Sequence, residues 1–432
     1  MVEIAPFHGI TYNKEKIKKL DDVMSPPYDI IPDDMQTVLY KKHQNNFVRI
    51  ILGKQNPDDT ENNNRYTRAK QLFDEWQQKG IFTQSTTSAI YPYCIDYTIK
   101  NEKKTFHGFF VLLKLDPEYK HVKAHEKTLA KPKADRLNLM RACYANTEPI
   151  ELLYMDKTDT IRTTMENALS TPLIKVKGYD GFIHSFWKLD DEKIVSQIIQ
   201  ELAKKDLYIA DGHHRYQTSI NFAQEMKQKT GDKKPNAPFN YIMVILANMF
   251  DPGLAILPTH RLIKLPTFSI ETLKEKMKPY VTIEEKIVNG TNAEHIGKQI
   301  MKDIDTANVH TFALYTKGKY YIFTLKDEKI MDTVAADHSK TWRTLDVSIL
   351  HKLILEKGLG INDTNLEDHV KYTRVDAEAV RFVDEGTYDL SFLINGTKIE
   401  QLKVIAEEGE HMPQKSTYFL PKMLSGLVMY KM

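Results

Sequence analysis

The sequence predicts an α/β protein with mixed sheets, and three observations carry that prediction. Two β-rich runs at 88–99 and 104–115 flank Lys100-Asn101-Glu102-Lys103 and read as an antiparallel hairpin, which argues against a purely parallel sheet. A second hairpin, 311–316 with 320–324, turns on Lys317-Gly318-Lys319. Between them a short apolar strand at 207–210 leads through a glycine turn into a helix from about 215 to 227.

Taken in order, the chain opens with an extended Ser25-Pro26-Pro27-Tyr28-Asp29 stretch that two adjacent prolines keep out of helix. Residues 62–79 follow as a helix, because Tyr66, Ala69, Leu72, Phe73 and Trp76 recur at three and four and Gly80 stands where a C-terminal cap belongs. After the first hairpin come a charged segment at 123–141, a strand at 150–155, a helix at 191–204 and the 207–227 strand and helix. The stretch 227–238 is polar and rich in turn residues, the best candidate for an exposed loop or boundary. A strand at 241–247, two helical stretches, the second hairpin and alternating helices and strands complete the chain. Two regions are therefore expected, 1–230 and 239–432, within the roughly two or three units that the length allows.

Hydrophobic residues make up 41% and aromatics 10%, enough for a sizeable core, so wholesale disorder is excluded. Lys plus Arg is 60 against 58 for Asp plus Glu, so the bulk basic excess of a polyanion binder is missing. Cys94 and Cys143 are far apart and form neither a multi-bridge scaffold nor a CxxC pair, which fits a reducing compartment. The N-terminal residues lack the apolar run of roughly 7–15 residues of a signal peptide, and no stretch nears the ~18 apolar residues of a span. A cytoplasmic protein without a membrane partner is expected, in which the Asn-x-Thr triplets at Asn289, Asn362 and Asn395 are turn chemistry.

Tyr208-Ile209-Ala210-Asp211-Gly212-His213-His214-Arg215-Tyr216 carries the most chemical information. Unpaired N–H groups at a helix N-terminus attract anions, Gly212 permits close approach, and Arg215 can donate a fork of hydrogen bonds to phosphate. His213 and His214 add donors whose charge changes near neutral pH. A zinc site is disfavoured, since adjacent histidines do not share a helix face and no Cys/His cluster completes one. His125-Glu126-Lys127-Thr128-Leu129 begins like a zinc-protease helix but ends in Leu129 instead of His. No P-loop occurs, Gly358-Leu359-Gly360 lacks the third glycine of a dinucleotide fingerprint, and no protein-kinase motif set is visible.

Four other clusters stand out. Residues 123–141 bring together His125, Glu126, Thr128, Lys131, Asp135 and Arg136, either a solvated charged helix or a site. Pro26-Pro27-Tyr28-Asp29 offers a carboxylate in a rigid turn, and Leu257-Pro258-Thr259-His260-Arg261 could aim His260 and Arg261 at an anion. Lys415-Ser416-Thr417, between Pro413 and Pro421, gives a cation and two hydroxyls on a constrained loop, the chemistry of a phosphate clamp.

PPYDII (26–31), AHEKTLAKPKADRL (124–137), ADGHHRY (210–216), LPTHRL (257–262) and MPQKSTYFLPK (412–422) together resemble a family long described as of unknown function, and the resemblance covers nearly the whole chain. The DGHHR element is similar to the phosphate-binding loop of the ParB/sulfiredoxin superfamily. The resemblance implies a ParB/sulfiredoxin-like core with large α/β additions and a free L-serine kinase making O-phosphoserine, with inorganic pyrophosphate as donor in place of a nucleotide. Compact superfamily members are much shorter, so spacing does not place their catalytic carboxylate here.

Under this resemblance, Gly212, His213, His214 and Arg215 bind the transferring phosphoryl group and Lys415, Ser416 and Thr417 clamp the donor's other end. Mg²⁺ bridges donor oxygens with Asp211 as one ligand. Glu126 is the first choice of base and Asp29 the second, with His214 a further catalytic candidate, and Tyr28, His125, Thr128, Arg136, His260 and Arg261 line the substrate. The alternatives are a phosphoserine phosphatase or other small-molecule phosphotransferase using the same anion site, and a nucleotide-dependent DNA-binding regulator. Against the last stand the near-neutral charge and the lack of a basic recognition helix.

Overall fold

The computed structural model describes the 432-residue chain apart from residues 100, 127–129, 233, 289, 291, 306–308 and 414, and describes the backbone but not the side chains of 130–133. It contains two compact units, the first made of 1–124, 128–255 and 421–432 and the second of 125–127 and 256–420.

The first unit is built on a nine-stranded mixed sheet. Its strands run in the order Val122–Lys123, Leu207–Asp211, Ile150–Tyr154, Tyr241–Asn248, Glu102–Lys114, Tyr91–Ile99, Ile183–Phe186 and Ile174–Lys177, with Ile4–Ala5 pairing onto Glu102–Lys114. Tyr241–Asn248 lies parallel to Ile150–Tyr154 and antiparallel to Glu102–Lys114, so both sheet types meet at one strand. Ile150–Tyr154 is buried throughout, as a strand covered on both faces must be, and it contributes Ile150, Leu152 and Tyr154 to the main core beside Ile209, Tyr216 and Val244.

Both hairpins form, each with a shorter turn than the sequence suggested. Ile99 pairs with Glu102, and Asn101 at φ 66° takes the left-handed conformation that a two-residue turn requires. In the second unit Thr316 pairs with Lys319 around Gly318 at φ 81°. The helix expected at 62–79 spans Arg65–Gln78, entered through a capping box between Asn64 and Thr67, with Ala69, Phe73 and Trp76 buried.

The polar stretch at 227–238 does not divide the chain. Its first residues finish the His213–Thr230 helix, and it feeds Tyr241–Asn248, a central strand, so the first unit continues to 255. The same unit recovers the chain at 421, where Ser425 bridges to Ser25, Met429 to Ile10, and Tyr430–Lys431 pairs with Ala145–Asn146.

The second unit is a six-stranded antiparallel sheet in the order Val281–Ile287, Lys319–Leu325, Thr311–Thr316, Leu390–Leu393, His260–Ile263, Val370–Thr373. Helices Ala293–Asp305 and Asp376–Asp384 bury Ile296, Ile300, Ile304, Ala379, Val380 and Val383 against it. Leu350–Gly358 is a π-helix, a rare form that here carries the buried His351. Among the described residues no helix is long and apolar enough to cross a membrane.

Candidate functional site

The first unit's site begins with a register shift. Tyr208 pairs with Leu153 and Ile209 with Leu152, but the next partner of Glu151 is Asp211, so the ladder skips Ala210. Such a bulge re-aims the residue that follows it. Gly212 then turns the chain at φ 97° and caps the His213–Thr230 helix, which starts two residues before the expected Arg215 because both histidines form its first turn. A Cβ on Gly212 would lie 3.2 Å from the Arg215 guanidinium and 3.2 Å from Ile150 Cγ2, so the position needs glycine for conformation and for space.

Asp211 gathers two cations. Arg215 donates to its Oδ2 at 2.6 Å and Lys422 to its Oδ1 at 3.1 Å, while a second Arg215 nitrogen donates to the Pro149 carbonyl. Burial opposes the Arg215 charge, yet Asp211, Glu148, Tyr28 and Asp29 outweigh it and hold the guanidinium pKa above its ordinary value. Because both Asp211 oxygens already carry cations, Asp211 does not fit the expected magnesium ligand. Among the described residues no group of three or more His, Cys, Asp or Glu is arranged to hold a metal ion.

A second carboxylate organises the neighbouring residues. Glu148 is buried and accepts from the Tyr28 N–H at 3.1 Å, the Ser425 hydroxyl at 2.9 Å and Arg136 at 3.3 Å. Arg136 lies 3.7 Å from the centroid of the Tyr28 ring and also donates to the Ile51 carbonyl and to Asp135. Burial pushes the Asp135 carboxyl up, but Arg136, Tyr66 and Arg65 outweigh it and hold it below the usual range. For Glu148 the balance is reversed, and desolvation leaves its pKa raised despite Arg136 and Arg215.

Asp211, Arg215 and Lys422 share a small pocket with Pro27, Glu148, Glu151 and Ser425. Glu151 is 2% exposed, and neither of its oxygens has a hydrogen-bond partner among the described residues. Burial, reinforced by Asp211 and opposed by Lys422 and Arg215, pushes its carboxyl up to about 8.

Of the expected residues, Tyr28, Arg136, Asp211, Gly212, His213, His214 and Arg215 belong to the first unit, with His213 buried and His214 half-buried. Asp29 is exposed on the short 3₁₀ turn Tyr28–Ile30.

The second unit holds another set. His125 is buried, its Nε2 lies 3.3 Å from the Thr417 hydroxyl, and its carbonyl accepts from the Met412 N–H at 2.7 Å. Glu126 bridges to Met412 in parallel. Lys415 is exposed and held at φ 55°, while the Ser416 hydroxyl turns back to the Pro413 carbonyl, so the proline-bounded loop is internally fastened. Thr128 lies outside the described residues.

His260 is fully buried, with Nε2 bonded to Asp376 at 2.8 Å and Nδ1 accepting from the Ile394 N–H at 3.3 Å, which leaves it no nitrogen for a ligand. Arg261 is also fully buried, donating to the Thr259 carbonyl and, at 3.3 Å, to His351. Its other terminal nitrogen, the Thr259 hydroxyl and the Tyr372 hydroxyl have no hydrogen-bond partner among the described residues.

Sequence reasoning missed Glu148, Glu151 and Lys422. The first two were readable as acidic residues at the start of an otherwise apolar strand, Glu148 just before Pro149 and Glu151 two residues after it, and Lys422 closes the MPQKSTYFLPK motif but draws its meaning from a partner 211 residues earlier.

The chain matches the family model DUF1015, described as a protein of unknown function, over residues 4–348. No curated protein matches it by sequence. Among solved structures it is similar to a free serine kinase in complex with AMP, at 13% identity over 72% of this chain and 87% of that chain, with a TM-score of 0.34. It is likewise similar to a conserved hypothetical protein from Pyrococcus furiosus, at 15% identity over 72% and 90% of the two chains and a TM-score of 0.34. A C-terminally truncated SbnI from Staphylococcus aureus is similar at 11% identity over 73% and 85%, with a TM-score of 0.33. With 4–348 of its 432 residues matched, the chain belongs to the DUF1015 family.

Proposed function

We propose that the protein is a phosphotransferase that moves a phosphoryl group onto the hydroxyl of free L-serine, with inorganic pyrophosphate as donor. The observation that carries the reading is the turn at 211–215, where a helix N-terminus, Arg215 and Lys422 converge beside one pocket. Phosphoryl transfer asks for little covalent chemistry from a protein. It needs the anion's charge neutralised, the nucleophile held in line and a base near its proton.

In this reading the first-turn N–H groups of the 213–230 helix, His214 and Arg215 hold the transferring group, and Lys422 adds a point charge that Asp211 keeps in position. On the motif resemblance alone, Lys415, Ser416 and Thr417 are assigned the donor's other end, and within their own unit His125 Nε2 lies 3.3 Å from the Thr417 hydroxyl. The same resemblance gives Glu126 the proton of the serine hydroxyl as the new O–P bond forms and the donor's P–O bond breaks. The serine and the pyrophosphate donor rest on the motif resemblance. Magnesium would neutralise donor oxygens and would arrive on the donor, since Asp211 is already paired twice.

The test is ³¹P NMR of the purified protein with Mg²⁺ and L-serine, supplied in parallel with pyrophosphate, ADP, ATP or no donor. Phosphoserine with pyrophosphate is the expected result. Phosphoserine with a nucleotide alone overturns the donor, and release of phosphate from added phosphoserine without any donor overturns the kinase in favour of a phosphatase. Glu126→Gln should lower turnover by roughly 10²-fold, and near-normal turnover of a folded variant removes Glu126 from the role of base.

A further inference from the structure

The pocket at Asp211 contains a group that the chemistry above leaves idle. Glu151 stands opposite Asp211 across the strand ladder, is 2% exposed, and has two oxygens without a hydrogen-bond partner among the described residues. A buried carboxyl with no donors around it is costly when ionised and tolerable when neutral. Asp211 lies in the same pocket with its negative charge already matched to Arg215 and Lys422. Two carboxyls in one site thus meet opposite surroundings, Asp211 between two cations and Glu151 without a hydrogen-bond partner among the described residues, the pattern that separates acid from base roles in catalytic pairs.

The charged and titratable groups around Glu151 come from several elements. Asp211 comes from the neighbouring strand, Arg215 from the helix, Lys422 from the returning C-terminal segment, and Glu148 from just before the Glu151 strand. His213 and His214 share the first turn with Arg215. Glu148 is matched by Arg136, so the uneven charges in the pocket are Asp211 against Arg215 and Lys422. A protonated Glu151 leaves one positive charge in surplus, whereas an ionised Glu151 cancels it.

We propose that Glu151 is an anion-binding residue of this site, donating its carboxyl proton to an oxygen of a tetrahedral dianion held by Arg215 and Lys422. The proposal rests on reading the 211–215 turn as an anion site. It makes anion affinity depend on the protonation of one side chain.

Sulfate is the probe, because it stays a dianion over the whole range and any pH dependence then belongs to the protein. Calorimetric titration of the full chain should show sulfate affinity falling about tenfold from pH 7 to pH 9, with roughly three-quarters of a proton taken up per sulfate near pH 8.5. In Glu151→Gln the affinity should be flat over that interval and the proton count near zero, with His213 and His214 both still in place. Wild-type affinity that is flat from pH 7 to 9, or a variant that keeps the wild-type slope, overturns the proposal. Should the variant fail to fold, the wild-type proton count decides alone, and a count near zero at pH 8.5 overturns it. No sulfate binding at any pH overturns the anion site together with Glu151. A proton-linked sulfate site in a protein that makes no phosphoserine would instead sustain Glu151 and overturn the phosphotransfer.

Discussion

Each unit of the molecule draws out of water an arginine that follows a histidine in sequence, Arg215 largely and Arg261 fully, and the two are treated in opposite ways. Arg215 meets the Asp211 carboxylate and has Glu148, Tyr28 and Asp29 around it, so its charge is held more firmly than in water. Arg261 has hydrogen bonds to a carbonyl and to His351 and no carboxylate among its hydrogen-bond partners in the described residues, and burial drags its pKa down to about 10 with Tyr372 pulling the other way. His351 answers in kind, since burial and then Arg261 push its pKa well below the ordinary imidazole value. The fold itself balances one cation and leaves the other unbalanced. Burial of a charged side chain therefore says little about stability until its partners are named.

The comparison breaks most visibly by removing the balanced cation. Arg215→Met leaves Asp211 facing Lys422 without the guanidinium and should cost about 3 kcal/mol in urea unfolding, together with loss of sulfate binding. An effect that appears only as pH changes is expected at Glu151. Its folded pKa is raised, so between about 4.5 and 8 the folded chain keeps a proton that the unfolded chain releases, and stability falls as pH rises through that window. Relative to Glu151→Gln, the wild type should lose up to about 5 kcal/mol across it, read as diverging thermal midpoints.

Arg261→Met sharpens the contrast from the other side. Replacing an unbalanced buried charge by an apolar side chain should leave stability within about 1 kcal/mol of the parent or raise it, and a loss as large as that of Arg215→Met would show that Arg261 is balanced after all. The smallest effect concerns backbone. Lys415→Gly, which suits φ 55°, should lie within about 0.5 kcal/mol of the parent by chemical denaturation. By contrast, Gly212→Ala meets both a conformational penalty and the Arg215 guanidinium, and should lower sulfate affinity as well as stability.

What could be read from the chain alone follows the range of the interactions. The two hairpins and the Arg65–Gln78 helix depend on neighbours a few residues away, and Asn101, Gly318, Asn64 and Gly80 stand where those elements need them. The 207–216 segment was legible as a strand, a glycine turn and a helix start for the same reason. Arg136 stood in a segment that read equally as a solvated charged helix or as a site, and it is buried because Tyr28 and Glu148, from outside its helix, cover it. The division of the chain was hidden for a similar reason. Composition marks 227–238 as an exposed connection, but only strand pairing shows that Tyr241–Asn248 belongs with what precedes it.

The return of residues 421–432 to the first unit orders events in time. A chain emerging from the ribosome reaches Asp211 and Arg215 long before Lys422, and nearly all of the second unit is synthesised in between. Until then Ser425 cannot reach Glu148, and Tyr430–Lys431 cannot close on Ala145–Asn146. The proposed anion site is thus assembled last, and an interrupted chain that ends anywhere from 256 to 420 would carry the 211–215 turn without its lysine.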